Sequence, residues 1–274
     1  MNSEDYFISC MSRHSHSIGD DGAVMGKQIF SKDAFFENVH FKRSWLSPYQ
    51  IAHKAMMVNI SDAIAMNAKP KYALLSVAMP KSLAKHEMVA LARGFQDVAD
   101  TFGIEIIGGD TIANSKLDIT VTIISESKKP LFRSGIKEGD LLLYTGILGQ
   151  SQRDLKRLMS GGSLHHKSRF ISLHVRDEFI HSSRRILRAG MDISDGLFSD
   201  LNKLSKLNRC GFTFHNKINR ASGCSGEEYE MLVAIPRRNR ITILRKAKQL
   251  RVPITIFASA RRGSFVNPCK AHHF

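Results

Sequence analysis

Aspartates recur along this chain in short, similar settings: "IGDDGAV" with Asp20 and Asp21, "SKDAFFENVHF" with Asp33, "NISDAIAM" with Asp62, "IIGGDT" with Asp110, and "MDISDGL" with Asp192 and Asp195. Each alone reads as a turn or element end, where aspartate beside glycine caps its own backbone. Together they read as oxygen-only ligands, which suit hard cations, and Mg²⁺ is held by carboxylates plus the phosphates of a substrate. Such ions would neutralise a polyphosphate. The glycines of "IGDDG" and "IIGGDT", and a helix start expected at Ser194 to Gly196, would bring backbone N–H groups to phosphate oxygens. The chain carries no GxxxxGK[ST], no GxGxxG after a strand and no HRD/DFG set, so a nucleotide site here is of another kind.

The elements that must position these groups are legible in outline. Ser47 with Pro48 starts a helix whose apolar residues Ile51, Ala55, Val58 and Met66 share a face with Asp62. An unpaired buried carboxylate is costly, so Asp62 is either satisfied by a neighbour such as Lys54 and by backbone donors, or it faces a cleft. "YALLSVAMP" (72 to 80) predicts a strand, followed by a helix capped at Ser82, striped by Met88, Leu91, Ala92, Phe95, Ala99 and Phe102, and ended by Gly103. "IEII", a turn at "GGDT" and the alternating strand "DITVTIIS" (118 to 125) complete one α/β unit. A polar connection, 126 to 140, leads to a second unit, with strands at "LLLYTGILG", "EYEMLVAIP" and "VPITIFASA" and a helix from Ser194 that buries Leu197, Leu201 and Leu204. Segment 151 to 190 shows no clear period.

Composition bounds the class. With 274 residues, 43% of them hydrophobic, the chain can build one large domain or two ordinary ones. No apolar run is long enough to span a bilayer and the N-terminus lacks a signal-peptide pattern, so the expectation is a cytoplasmic protein. Cys10, Cys210, Cys224 and Cys269 show no metal-ligand spacing, and reduced thiols are expected. The net charge of +15 raises nucleic acid as a partner. The basic stretches lack interleaved aromatics and any nucleic-acid motif, so a solvated basic surface or attraction of phosphate substrates accounts for the charge as well.

"IGDDGAV", "ENVHF", "AHKAMMVNISDAIAMNAKP", "IIGGDT", "RSGIKEGD", "MDISDGLFSDL" and "SGEEYEML" together resemble the motif series of the thiamine-monophosphate kinase family, over about residues 18 to 235. Its superfamily also holds aminoimidazole ribonucleotide synthetase, selenophosphate synthetase and the hydrogenase maturation protein HypE. The resemblance implies an α/β (α+β) chain of PurM-like architecture in two domains, 1–130 with a mixed sheet that dimerises and 131–274 completing the cleft. It implies ATP-dependent phosphorylation of thiamine monophosphate to thiamine diphosphate, several Mg²⁺ ions, and a homodimer.

Carried over residue by residue, the resemblance implies metal positions at Asp21, Ser31, Lys32, Asp33, Asp62, Asp110, Asp192 and Asp195. ATP positions are Gly109, Asp110, Arg133 and Ser194; Asp62, Asp110 and Arg133 would serve the transfer itself. His40 and Glu227 match the substrate side, with Phe274 standing in for an aromatic near the tail. Lys32 stands where the family usually has threonine, "EEY" replaces "EDY", and Ala271 falls where the family tends to have tyrosine. Two other readings stay open: a sister enzyme using ATP on another substrate, and a non-catalytic, nucleic-acid-binding relative.

Overall fold

The computed structural model describes residues 3–12, 15 and 17–269. After α1 (Ser3–Ser12), the first half forms β1 (Ala23–Met25), β2 (Gln28–Phe36), α2 (Pro48–Ala65), β3 (Lys69–Pro80), α3 (Lys85–Phe102), β4 (Glu105–Asn114) and β5 (Asp118–Glu126). These strands make one mixed sheet in the order β1-β2-β5-β3-β4, antiparallel except for the β3/β4 pair. The parallel pair follows from the crossover through α3, since a helix must carry the chain back before a parallel neighbour can start.

The second half supplies β6 (Leu141–Thr145), α4 (Gln150–Met159), α5 (Asp177–Ser183), β7 (Ala189–Asp192), α6 (Leu197–Asn208), β8 (Cys210–Phe214), α7 (Arg220–Gly223), β9 (Met231–Ile235), α8 (Arg240–Gln249) and β10 (Ile254–Arg262). Its five strands form an antiparallel sheet in the order β7-β9-β6-β10-β8. Leu197, Leu201 and Leu204 of α6 are buried, as their spacing predicts.

Helix α2 is the central element. Ser47 accepts from the Gln50 N–H at 3.3 Å while the Gln50 side chain accepts from the Ser47 N–H at 2.9 Å, a reciprocal cap that fixes where the helix begins. It packs on β2, β5 and α3 and reaches β7, and a buried cluster runs continuously from Ile51 and Ile60 to Met231 and Val233 of the second sheet. A helix buried all round explains why its apolar pattern is nearly continuous.

Several local expectations are corrected. Helix α3 is capped at Ala84, not Ser82: Glu87 in its first turn accepts from the Ala84 N–H at 2.9 Å. Its stripe is split, with Leu91, Phe95 and Ala99 buried and Met88 and Ala92 open to a groove under β4. "GGDT" is no turn but the middle of β4, where Gly109, at φ +149°, lies so close to β3 that a Cβ would strike the Leu75 carbonyl. Asp33 lies inside β2 rather than at its end, and α6 is capped by Gly196 (φ 99°), so it starts later than Ser194. Cys224 and Cys269 form a disulfide, against the reduced thiols expected, because the segment after β10 folds back over α6 and brings together cysteines 45 residues apart.

Candidate active site

Between the two sheets lies a cleft of about 450 Å³. Asp21 reaches it from the loop before β1, Asp33 from β2, Asp62 from α2, Asp192 from the end of β7, and Ser194 and Asp195 from the turn before α6. Arg133, from the connection between the sheets, and His40, Glu227 and Tyr229 complete the wall. Asp62 therefore faces a cleft, and Lys54 is not its partner: the Lys54 Nζ lies 2.7 Å from Glu227 Oε2.

Carboxylate oxygens of Asp21, Asp62 and Asp192 all lie within 4.8 Å of one another. Asp192 Oδ2 accepts from the Ser61 hydroxyl at 2.6 Å, whereas Asp192 Oδ1 and Asp21 Oδ2 are buried with no hydrogen-bond partner. Burial, reinforced by the neighbouring carboxylates, drives the pKa of Asp62 and Asp192 well above the ordinary value and that of Asp33 to about 6. Asp21 is also raised, by burial, although Arg133 pulls the other way. Crowded carboxylates with orphaned oxygens are a donor set that a hard divalent cation satisfies, so these residues fit Mg²⁺.

The cations of the cleft sit beside these acids. Arg133 pairs with Asp21 through its guanidinium, and its backbone N–H donates to Asp20 Oδ1 at 2.6 Å. Lys203 donates to Asp195 Oδ2 at 2.6 Å and Asp200 Oδ1 at 2.9 Å. Burial opposes the charge on both, but the adjacent aspartates outweigh it and hold both pKa values above the ordinary range. Lys54, Lys203, Asp200 and Tyr229 were missed as site residues; the i, i+3 pairing of Asp200 with Lys203 on α6 was the only local signal for any of them.

The remaining predicted positions divide between the cleft and other places. Ser31 is buried and donates to Asn59 Oδ1 at 2.6 Å, while the neighbouring Lys32 lines the cleft and donates to Thr120 Oγ1 at 3.1 Å. His40 Nδ1 accepts from the Phe36 N–H at 3.0 Å and its ring stacks on Phe35. Gly109 and Asp110 line the separate groove under β4. In register, Asp33 faces Val121, Val121 faces Leu75 and Leu75 faces Gly109. Three strand spacings, about 14 Å, thus separate Gly109, the neighbour of Asp110, from Asp33 of the same chain. Phe274 and Ala271 lie outside the described residues.

The chain matches the family model "AIR synthase related protein, N-terminal domain" over residues 19–126. It is 32% identical over 281 residues to a thiamine-monophosphate kinase of Buchnera aphidicola subsp. Schizaphis graminum, covering 90% of this chain and 85% of that one. This chain belongs to the thiamine-monophosphate kinase family. The Bacillus subtilis family member is 36% identical over 206 residues, 69% of this chain but under two thirds, 63%, of that protein. The fold matches AaThiL complexed with AMPPCP and TMP at a TM-score of 0.88 and 24% identity, covering 100% of this chain and 99% of that one. The two-sheet architecture of this family member is thus the PurM-like fold expected from its motifs.

Proposed function

We propose that this protein transfers the γ-phosphate of ATP to thiamine monophosphate, giving thiamine diphosphate. The observation that carries the reading is the convergence of Asp21, Asp62 and Asp192 from three separate elements on one point, with two buried oxygens left unsatisfied. Family membership and the substrates named for AaThiL support the choice of reactants. Among the described residues no helix is long and apolar enough to cross a membrane, which accords with a cytoplasmic enzyme.

The acceptor is a phosphate oxygen, anionic at neutral pH, so no general base is required; the obstacle is bringing two anions together. Bound Mg²⁺ would screen that repulsion and stabilise charge on the transferring group. Asp21, Asp62 and Asp192 would hold the ions, with Asp33 alongside. Arg133 and Lys203 set fixed positive charge against the phosphate chain, and Ser194 stands at the turn before α6. Glu227 and His40 face the acceptor.

We further read the assembly as a homodimer in which the first sheets pair and the second unit, from about residue 131, closes each cleft. Edge strand β4 supports this: it is solvent-exposed along nearly its whole length, with Ile107 and Ile112 at 48% and 57% exposure. Pairing of β4 with the opposite edge of the partner's sheet, where β1 covers β2 only as far as Phe30, would bring Gly109 and Asp110 of one copy toward the carboxylates of the other.

Thiamine diphosphate formation from thiamine monophosphate and ATP, with Mg²⁺ and with EDTA, tests the reading. Metal-dependent product is expected; folded protein that binds ATP without making product would sink it.

A further inference from the structure

Among the described residues, Lys54 is the largest charged side chain hidden completely, at 0% exposure on α2. Its Nζ lies 3.7 Å from the centre of the Phe170 ring and 5.7 Å from that of Phe35, and its only carboxylate partner among the described residues is Glu227, at 2.7 Å. Removing an ammonium from water is expensive unless it is closely partnered, so this contact is specific and not a surface pairing. The aromatic faces add to it.

Glu227 is held just as firmly from its backbone. It is a non-glycine residue at φ +54°, an arrangement that persists only where the surroundings impose it. Its N–H donates to the Ser194 carbonyl at 2.7 Å, and its carbonyl accepts from the Ser151 hydroxyl at 2.7 Å. With Oε2 held by Lys54, Oε1 is the oxygen left without a hydrogen bond among the described residues, on a side chain that is 26% exposed.

Glu227 also stands on a boundary. It lines the carboxylate cleft and an adjoining cavity of about 430 Å³ whose walls include Val39, Leu155 and Phe170. The rest of its wall is polar, with Asn38, Ser151, Gln152, Ser194 and Asp195, so the cavity sets an aromatic and aliphatic face against hydrogen-bonding groups, with the Glu227 carboxylate where it meets the cleft. That suits a flat organic group bearing an N–H donor, with its phosphate end extending into the cleft.

We infer that Lys54 is the positioning residue for the acceptor substrate: it fixes Glu227 and the Phe170 ring so that the free carboxylate oxygen meets an N–H of the organic part. The inference rests on the kinase reading for the identity of that substrate. Lys54 itself touches no reacting atom.

The test measures KM for thiamine monophosphate and for ATP, and the thiamine monophosphate Kd by calorimetry, in wild type, Lys54→Met, Glu227→Asp and the double variant. Lys54→Met is expected to raise KM and Kd for thiamine monophosphate at least 10-fold while KM for ATP stays within 2-fold, a split that general loosening would not produce. Glu227→Asp keeps the carboxylate but draws it off Lys54, so it should do the same; on a partly exposed residue it remains readable if Lys54→Met does not fold. The double variant should be no worse than the poorer single one, because both act through one contact. Folded variants with thiamine monophosphate affinity within 2-fold of wild type, or with both KM values shifted equally, would overturn the assignment. Wild type that binds thiamine monophosphate without turning it over would overturn the kinase reading alone, and a 10-fold Kd change in the variants would then still uphold Lys54. Wild type that neither binds nor turns it over would remove both.

Discussion

The hydroxyl of Ser61 donates to Asp192 Oδ2 at 2.6 Å, joining α2 of the first unit to the last residue of β7 in the second. Both residues are essentially out of solvent, at 0% and 1% exposure. The bond aims Asp192 at Asp21 and Asp62, and it couples the placement of the acidic centre to the packing of the two sheets.

Ser61→Ala would leave both Asp192 oxygens unpaired in a buried site. The expected cost is about 1–3 kcal/mol of stability without metal, with weaker Mg²⁺ binding, read by thermal melts with EDTA and by metal titration. Unchanged melting and unchanged metal affinity would show that Asp192 is placed by something else.

Asp62→Asn and Asp110→Asn should each lose most activity, at least about 100-fold if the ions are lost, while folding normally. Because Asp110 lies across the sheet from its own chain's carboxylates, mixing the two variants should restore activity in heterodimers that rebuild one intact cleft. Mixed protein as inactive as either parent would argue against a shared site.

The raised carboxylates make stability depend on pH in a definite direction. Asp33 and Asp200 are pushed up to about 6, chiefly by burial, so the folded chain binds their protons more tightly than the unfolded chain, whose ordinary value is 3.8. Their contribution is full below 3.8 and is lost as pH rises through about 6. Metal-free protein should therefore melt several degrees lower at pH 7.5 than at pH 5, and Mg²⁺ should recover the loss at pH 7.5. Calorimetry at the two pH values, with Asp33→Asn as the control that reduces the difference, checks this; melting indifferent to pH and metal would contradict it.

Cys224 and Cys269 are paired, whereas Cys10 and Cys210 are free. Unfolded, non-reduced protein should expose two titratable thiols, and reduced protein four. Reduction should lower stability by about 2–4 kcal/mol, because the bond closes a long loop in the unfolded chain. Four thiols before reduction would remove the bond.

The fold was legible to the extent that it is local. The cap at Ser47, the stripe of Leu91 and Phe95, and the alternation of Ile119, Val121 and Ile123 each reflect a period or a cap that neighbouring residues create. "GGDT" was misread because glycine-rich stretches usually turn, whereas here the missing Cβ serves a close approach to Leu75 inside a strand. Lys54 showed only as a lysine near Asp62, since a partner 173 residues away leaves no local trace.

By itself, then, the sequence determined which residues could bind phosphate and metal and which segments would carry them, because side-chain chemistry and periodicity are properties of short stretches. Only the tertiary structure decided that Asp21, Asp62 and Asp192 converge while Asp110 stands apart, and that Lys54 serves Glu227. Those outcomes depend on strand order, register and the burial of α2 between two sheets, which are settled by the packing of the whole chain.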